Sequence, residues 1–175
     1  MKQLGHASQL IPMIHPQDDD EQIMSDDDLL QLLSRQLNHS DGIRGFFATY
    51  LTSPESLTTE EVPQVLADAV KSSDMEVMIP LACMNVIMPV AMSSIHEDEE
   101  LKKCAKKTAT NGVKILSLLK DEDLVVKNCK AIMKVCNGKE EGDDMIKVCA
   151  SVCYSLFVRY LYTNLSFSAV LGKVL

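Results

Sequence analysis

Two stretches of this chain read as copies of one pattern: LADAVKSSDMEVMIPLACMNV at residues 66–86 and ILSLLKDEDLVVKNCKAIMKV at residues 115–135. Each copy contains the end of an apolar helix, a short polar break and a second helix that an aspartate caps. Helix pairs are therefore predicted to recur along the chain. A shift of 49 positions superposes these identical residues: Lys71 on Lys120, Asp74 on Asp123, Val77 on Val126, Ala82 on Ala131, Met84 on Met133 and Val86 on Val135.

The composition favours helices over strands. Hydrophobic residues make up 46% of the 175 residues and aromatic residues only 5%, with ten methionines and no tryptophan. Because strands are enriched in aromatic and β-branched residues, an aliphatic and sulfur-rich core suits packed helices better. We therefore predict an all-α fold, in a chain long enough to form its own core without disulfides.

The first 24 residues differ in character from the rest. They combine glycine, proline and an acidic run at residues 18–21 with no helical period, which predicts a disordered acidic tail followed by a single α-helical domain at residues 25–175. Within the tail, the apolar run LIPMI at residues 10–14 is either a docking peptide for a partner or part of an inert terminus. Ser25, followed by three aspartates, has the pattern of a helix N-cap and first turn.

Further patterns predict the helix boundaries. Apolar and aromatic residues at helical spacing indicate a helix over 43–51. Pro80 and Pro89 predict that residues 75–94 are not one straight helix but a short turn, a helix over 79–88 and a short helix to 94. We also expect a long helix over 98–120 with Leu101 and Cys104 on its inner side, a helix over 123–136, and a central, most buried helix over 143–161.

The sequence contains no recognisable catalytic, metal or cofactor motif. Its six cysteines include no C-x-x-C pair and fall on the apolar sides of predicted helices, so we expect buried, reduced thiols. The four histidines lie in the tail or in breaks between helices and are expected at the surface. There is no glycine-rich phosphate loop and no G-x-S-x-G nucleophile motif. We therefore expect no catalytic residue, no metal and no cofactor.

The charge restricts the classes of partner. A net charge of −8 and a pI near 4.9 disfavour binding to nucleic acid and to anionic membrane surfaces. The apolar region at residues 145–175 is interrupted by Lys147, Arg159 and Lys173, so no membrane span is predicted. Because the first 16 residues also lack the apolar core of a signal peptide, we expect the protein in the cytoplasm or the nucleus.

Residues 112–135 resemble an armadillo or HEAT repeat: a glycine, an apolar helix end, an acidic turn, and a second helix with valine and alanine inward. The likeness extends over residues 62–135. It implies an irregular α-solenoid of stacked antiparallel helix pairs whose groove binds extended peptides or helices. An irregular helical bundle is the alternative. The alanine register is shifted from the armadillo pattern, so no binding residue of that family is transferred to this chain.

These observations favour a non-enzymatic interaction or scaffold module that binds a basic or amphipathic peptide or helix of a partner protein. The alternatives are a helical bundle that binds a small apolar ligand and an enzyme without a known motif. Ser25, ahead of its acidic run, is a candidate phosphorylation site for an acid-directed kinase. The polar positions predicted to contact the partner are Asn85, Lys127, Asn128, Lys130 and Lys134.

Overall fold

The computed structural model describes residues 2–16, 24–58, 61–120 and 122–136. Over these residues the chain forms helices and no strand, which confirms the all-α prediction for the described part. The predicted helix over 143–161 lies outside the described residues. In chain order the helices are α1 (Lys2–Ile14), α2 (Asp26–Gln36), α3 (Ser40–Tyr50), α4 (Pro54–Thr58), α5 (Gln64–Lys71), α6 (Met75–Ile95), α7 (Glu99–Leu118) and α8 (Asp123–Cys136).

The chain divides into two compact units rather than the one domain expected over residues 25–175. Unit 1 is Met1–Leu81 and unit 2 is Ala82–Leu175, so the boundary falls inside α6. Unit 1 contains α1 to α5 and the first residues of α6. Unit 2 contains the remainder of α6 with α7 and α8. The two units are described separately below.

The amino-terminal segment corrects the prediction of a disordered tail over residues 1–24, because Lys2–Ile14 is the helix α1. Its buried residues, Ala7, Leu10, Ile11 and Ile14, follow the i, i+3, i+4, i+7 spacing of one helix face. This face packs mainly on α3 and also contacts α2. The prediction rested on the composition of residues 1–24 taken together, in which the polar residues after α1 hide the helical period of its apolar face.

Helix α2 begins as predicted. The Ser25 hydroxyl accepts a hydrogen bond from the Asp28 backbone N–H at 3.2 Å, which defines Ser25 as the N-cap. Leu29 and Leu33 are buried on the side of α2 that faces the unit 1 core. Helix α5 supplies the main packing partner of α2, with Leu66 and Val70 fully buried.

Helix α3 starts at Ser40, three residues before the predicted start at Ile43, because His39 serves as its N-cap. The Gly42 backbone N–H donates to His39 Nδ1 at 2.8 Å. Gly42 is required here, because a Cβ at this position would lie 1.8 Å from the Gln36 carbonyl oxygen. The Gln36 side chain is buried and donates from Nε2 to the Gly42 carbonyl oxygen at 3.1 Å, which joins the end of α2 to the start of α3.

The aromatic residues of α3 form the centre of unit 1. Phe46, Phe47 and Tyr50 are almost completely buried, and the Phe46 and Tyr50 rings stack with centroids 5.2 Å apart. The Tyr50 carbonyl oxygen accepts hydrogen bonds from the hydroxyls of Ser53 and Ser56. These bonds close α3 and lead into α4, a helix of five residues.

Helix α6 corrects the second local prediction, because its 21 residues run through Pro80 and Pro89 without a break. Each interior proline removes a backbone hydrogen bond and crowds the preceding turn, at a cost of about 3 kcal/mol. Burial of a large aliphatic side chain contributes about 1.5–3 kcal/mol, and α6 buries several, including Met78, Ile79 and Ile87. This burial is large enough to offset the cost of the prolines.

Length and composition would allow one helix of the described residues to cross a membrane. This is the stretch Met75–Ser93 of α6, with a mean hydropathy of 1.7 and half of its window buried inside the protein. The core helix of a water-soluble protein meets the same criterion. The prediction of no membrane span rests on the charges within residues 145–175, whereas residues 77–95 contain no charged residue.

In unit 2, α7 contacts the carboxyl-terminal part of α6 at Gly112. A Cβ there would lie 2.6 Å from the Asn85 carbonyl oxygen and 3.2 Å from Val86 Cγ2, so only glycine allows this approach. Gly112 therefore permits close helix packing, and α7 is continuous, as the prediction of a long helix over 98–120 requires. The buried residues of α7 are all in its second half: Ala109, Asn111, Gly112, Val113, Ile115 and Leu116.

The first half of α7 is exposed, which corrects the prediction that Leu101 and Cys104 face inward. Leu101 is 51% exposed and Cys104 is also exposed. Asp98 caps this helix by accepting from the Leu101 backbone N–H at 2.9 Å. Helix α8 has the predicted bounds, 123–136. Val125 is fully buried and Val126 is half-buried.

Candidate binding surfaces

The breaks in the two sequence copies share one backbone hydrogen bond. In the first copy the Ser73 backbone N–H donates to the Val70 carbonyl oxygen at 3.3 Å. In the second copy the Glu122 backbone N–H donates to the Leu119 carbonyl oxygen at 3.0 Å. The donors and the acceptors are each 49 positions apart, which is the offset of the sequence repeat. Both copies are therefore a helix, a short turn and a second helix.

The predicted partner positions lie on two helices of unit 2. Asn85 is half-buried on α6, and Lys127 is exposed on α8. Asn128 is half-buried, and its amide Nδ2 donates to the Leu124 carbonyl oxygen at 2.9 Å. Lys130 and Lys134 also lie on α8, but their side chains are outside the described residues. Of the three positions whose side chains are described, Lys127 alone is exposed rather than half-buried.

Two large apolar side chains of unit 2 are exposed. They are Met92 near the end of α6, at 36% exposure, and Leu101 near the start of α7, at 51%. Sequence reasoning missed this pair because Leu101 fits the apolar period of α7 and was therefore assigned to the core.

Two lysines at the start of α7 pair with glutamates of the same helix. Lys102 pairs with Glu99, and Lys103 Nζ lies 4.0 Å from Glu100 Oε1. The hydrogen bond from Lys102 and its charge lower the pKa of the Glu99 carboxyl. Both pairs are spaced i, i+3 and their carboxylates are exposed. These charges therefore keep α7 hydrated and form no enclosed site.

Unit 1 contains a groove between α1 and α2 that the sequence reasoning did not predict. We call it the α1–α2 groove. It has a volume of about 400 Å³ and is lined by two sets of residues at i, i+3, i+4, i+7 spacing: His6, Gln9, Leu10 and Met13, opposite Leu32, Arg35, Gln36 and His39. The spacing is visible in the sequence, but it becomes informative only once residues 2–14 are known to be helical.

Cysteines and histidines only partly follow their predictions. Of the two cysteines with described side chains, Cys83 is buried and Cys104 is exposed, so the prediction of buried thiols is wrong for Cys104. Cys129 and Cys136 lie on α8 without described side chains, and Cys149 and Cys153 are outside the described residues. His39 is an N-cap, and His15 is half-buried against Tyr50, where a surface position was expected. Within the described ranges no three His, Cys, Asp or Glu side chains cluster to hold a metal ion.

The described part of the chain consists of helices without strands, which places it among all-α proteins. The chain belongs to the family described as uncharacterised conserved protein UCP020893, whose match covers residues 11–146. No curated protein and no solved structure matches the chain.

Proposed function

We propose that this chain is a non-enzymatic interaction module that binds a peptide or helix of a partner protein. The observation that carries the proposal is the repeated turn, in which the Ser73–Val70 and Glu122–Leu119 hydrogen bonds recur at the offset of the sequence repeat. Repeated helix pairs of the armadillo and HEAT kind produce extended surfaces that suit elongated partners. The proposal therefore includes an armadillo-like or HEAT-like order of these pairs.

The exposed apolar pair, Met92 and Leu101, supplies the proposed anchor points on unit 2. An amphipathic helix binds through a few apolar side chains, and burial of an exposed leucine contributes about 1.5–3 kcal/mol. The net charge of −8 favours partners with basic residues around that apolar stripe. Lys127 and Asn128 on α8, with Asn85 on α6, are the polar positions proposed to set specificity.

Affinity capture with matched variants tests this function. The full chain is immobilised as wild type, as Met92→Ser with Leu101→Ser, and as Glu97→Gln, which changes an exposed residue of the same unit. A specific partner should be retained by wild type and by Glu97→Gln but lost from the double serine variant. Retention should also fall at high salt. Identical protein recovery on all three baits would reject binding through this apolar pair.

A further inference from the structure

The α1–α2 groove has the layout of a site for a small amphipathic molecule. Leu10 and Gln36 are buried at its base, and Met13 and Leu32 are half-buried along its sides. Its rim is polar and exposed, formed by His6, Gln9, Arg35 and His39. A volume of about 400 Å³ is near the lower end of known ligand sites, so the ligand should be small.

The charge of the groove is opposite to that of the chain. The whole sequence has 25 acidic and 17 basic residues, yet among the described residues no acidic side chain lines the groove and Arg35 does. Arg35 is exposed and donates from Nη2 to Gln31 Oε1 at 3.2 Å, which uses one of the five guanidinium N–H donors. The other N–H groups can bind an anion while the bond to Gln31 persists.

His39 adds a second donor with a fixed orientation. Its Nδ1 accepts the Gly42 backbone N–H, so in the neutral ring the proton resides on Nε2. The N-cap of α3 thus holds His39 as an N–H donor on the groove rim. Gln36, whose Nε2 donates to the Gly42 carbonyl oxygen, holds the same turn in place from the groove base.

We propose that the α1–α2 groove binds an amphipathic monocarboxylate. The apolar part of the ligand lies along Leu10, Met13 and Leu32, and its carboxylate accepts hydrogen bonds from Arg35 and His39. A cation would face Arg35, and an uncharged ligand would accept only weaker hydrogen bonds from the rim donors, so both should bind less tightly. This site is separate from the surface proposed to bind a protein partner.

Calorimetric titration of the full chain with octanoate tests the proposal. Octanoate should bind saturably with one site per chain, while octan-1-ol and octyltrimethylammonium, which have the same alkyl chain, should bind at least tenfold more weakly. Because a hydrogen bond to a charged group contributes enough for about a tenfold change in affinity, Arg35→Gln should weaken octanoate binding about tenfold or more. Arg44→Gln, an exposed change on α3 outside the groove, should leave the octanoate Kd unchanged.

A second variant tests the apolar part of the groove. Leu32→Gln should weaken binding of octanoate and octan-1-ol alike, and circular dichroism should show that each variant keeps the wild-type helical content. The proposal is overturned if octanoate shows no saturable binding, if octyltrimethylammonium binds as tightly as octanoate, or if Arg35→Gln binds octanoate as tightly as wild type does.

Discussion

The His15 ring lies almost parallel to the Tyr50 ring, with centroids 5.7 Å apart, an interplanar angle of 16°, and Nε2 3.1 Å from the phenolic oxygen. This contact joins the end of α1 to the end of α3. Tyr50 is buried, and its ring also stacks on that of Phe46. The amino-terminal segment is therefore part of the unit 1 core.

A double-mutant cycle on this pair should give a measurable coupling. Tyr50→Phe removes the phenolic hydroxyl but keeps the ring, so the free energy of unfolding should fall by about 1 kcal/mol. His15→Ala should cost more, because it also removes the stacked ring. In urea denaturation the two changes together should cost less than their sum by about 1 kcal/mol. Strict additivity would show that the His15–Tyr50 hydrogen bond does not contribute to stability.

Alkaline pH should destabilise the protein through Tyr50. Burial raises the pKa of Tyr50 well above its ordinary value of 10.0, because the folded protein disfavours the phenolate. The unfolded chain loses this proton near pH 10 while the folded chain retains it, so stability is lost progressively as pH rises above 10. Urea midpoints measured from pH 8 to 11 should fall less for Tyr50→Phe than for wild type. An equal fall of the urea midpoint with pH in both proteins would contradict the role of Tyr50.

Two glycines should respond in opposite directions to alanine. Gly42→Ala places a Cβ 1.8 Å from the Gln36 carbonyl oxygen and 2.6 Å from the His39 ring, so backbone must shift and stability should fall by about 3 kcal/mol. Gly5→Ala is the matched control, because nothing lies within 4 Å of the new Cβ and alanine favours the helix by about 0.5–1 kcal/mol. The melting temperature should fall for the first variant and rise slightly for the second. A Gly42→Ala protein as stable as wild type would contradict the close approach of Gly42 to Gln36 and His39.

Ser25 should be phosphorylated by an acid-directed kinase with little effect on the fold. Its exposed hydroxyl accepts from the Asp28 backbone N–H and donates to Asp28 Oδ2 at 2.7 Å. A phosphate at this N-cap can still accept the backbone N–H, whereas the three following carboxylates repel it, so the net change should be small. By contrast, Ser25→Ala removes the cap and should cost about 1 kcal/mol. Mass spectrometry after kinase treatment should find the phosphate on Ser25, and modification confined to other residues would reject the site.

The sequence predicted the elements whose signals are local. The all-α class, the Ser25 cap, the bounds of α8 and the two repeat breaks follow from helical period and capping chemistry, which depend on residues within a turn or two. The helix that carries Phe46, Phe47 and Tyr50 was also predicted, because these residues follow helical spacing. These features need no knowledge of distant parts of the chain.

The predictions that were wrong depend on tertiary contacts. Residues 2–14 form a helix because α3 supplies an aromatic surface on which they pack. Helix α6 continues through Pro80 and Pro89 because many of its side chains are buried. Leu101 fits the period of α7 but has no described neighbour that covers it. The α1–α2 groove could not be predicted without knowing that α1 is a helix. His39 could not be predicted as an N-cap without knowing that α3 begins at Ser40.

The most direct test of the interaction function is site-specific photocrosslinking at Leu101. The photoreactive residue p-benzoylphenylalanine replaces Leu101 in the full chain, or replaces Asp68, an exposed residue of α5, as the control. If a partner protein binds through Met92 and Leu101, irradiation in lysate should give a discrete protein adduct at position 101 that is absent at position 68. The adduct should be reduced when Met92 is also changed to serine. No adduct at position 101, or the same adducts at both positions, would contradict it.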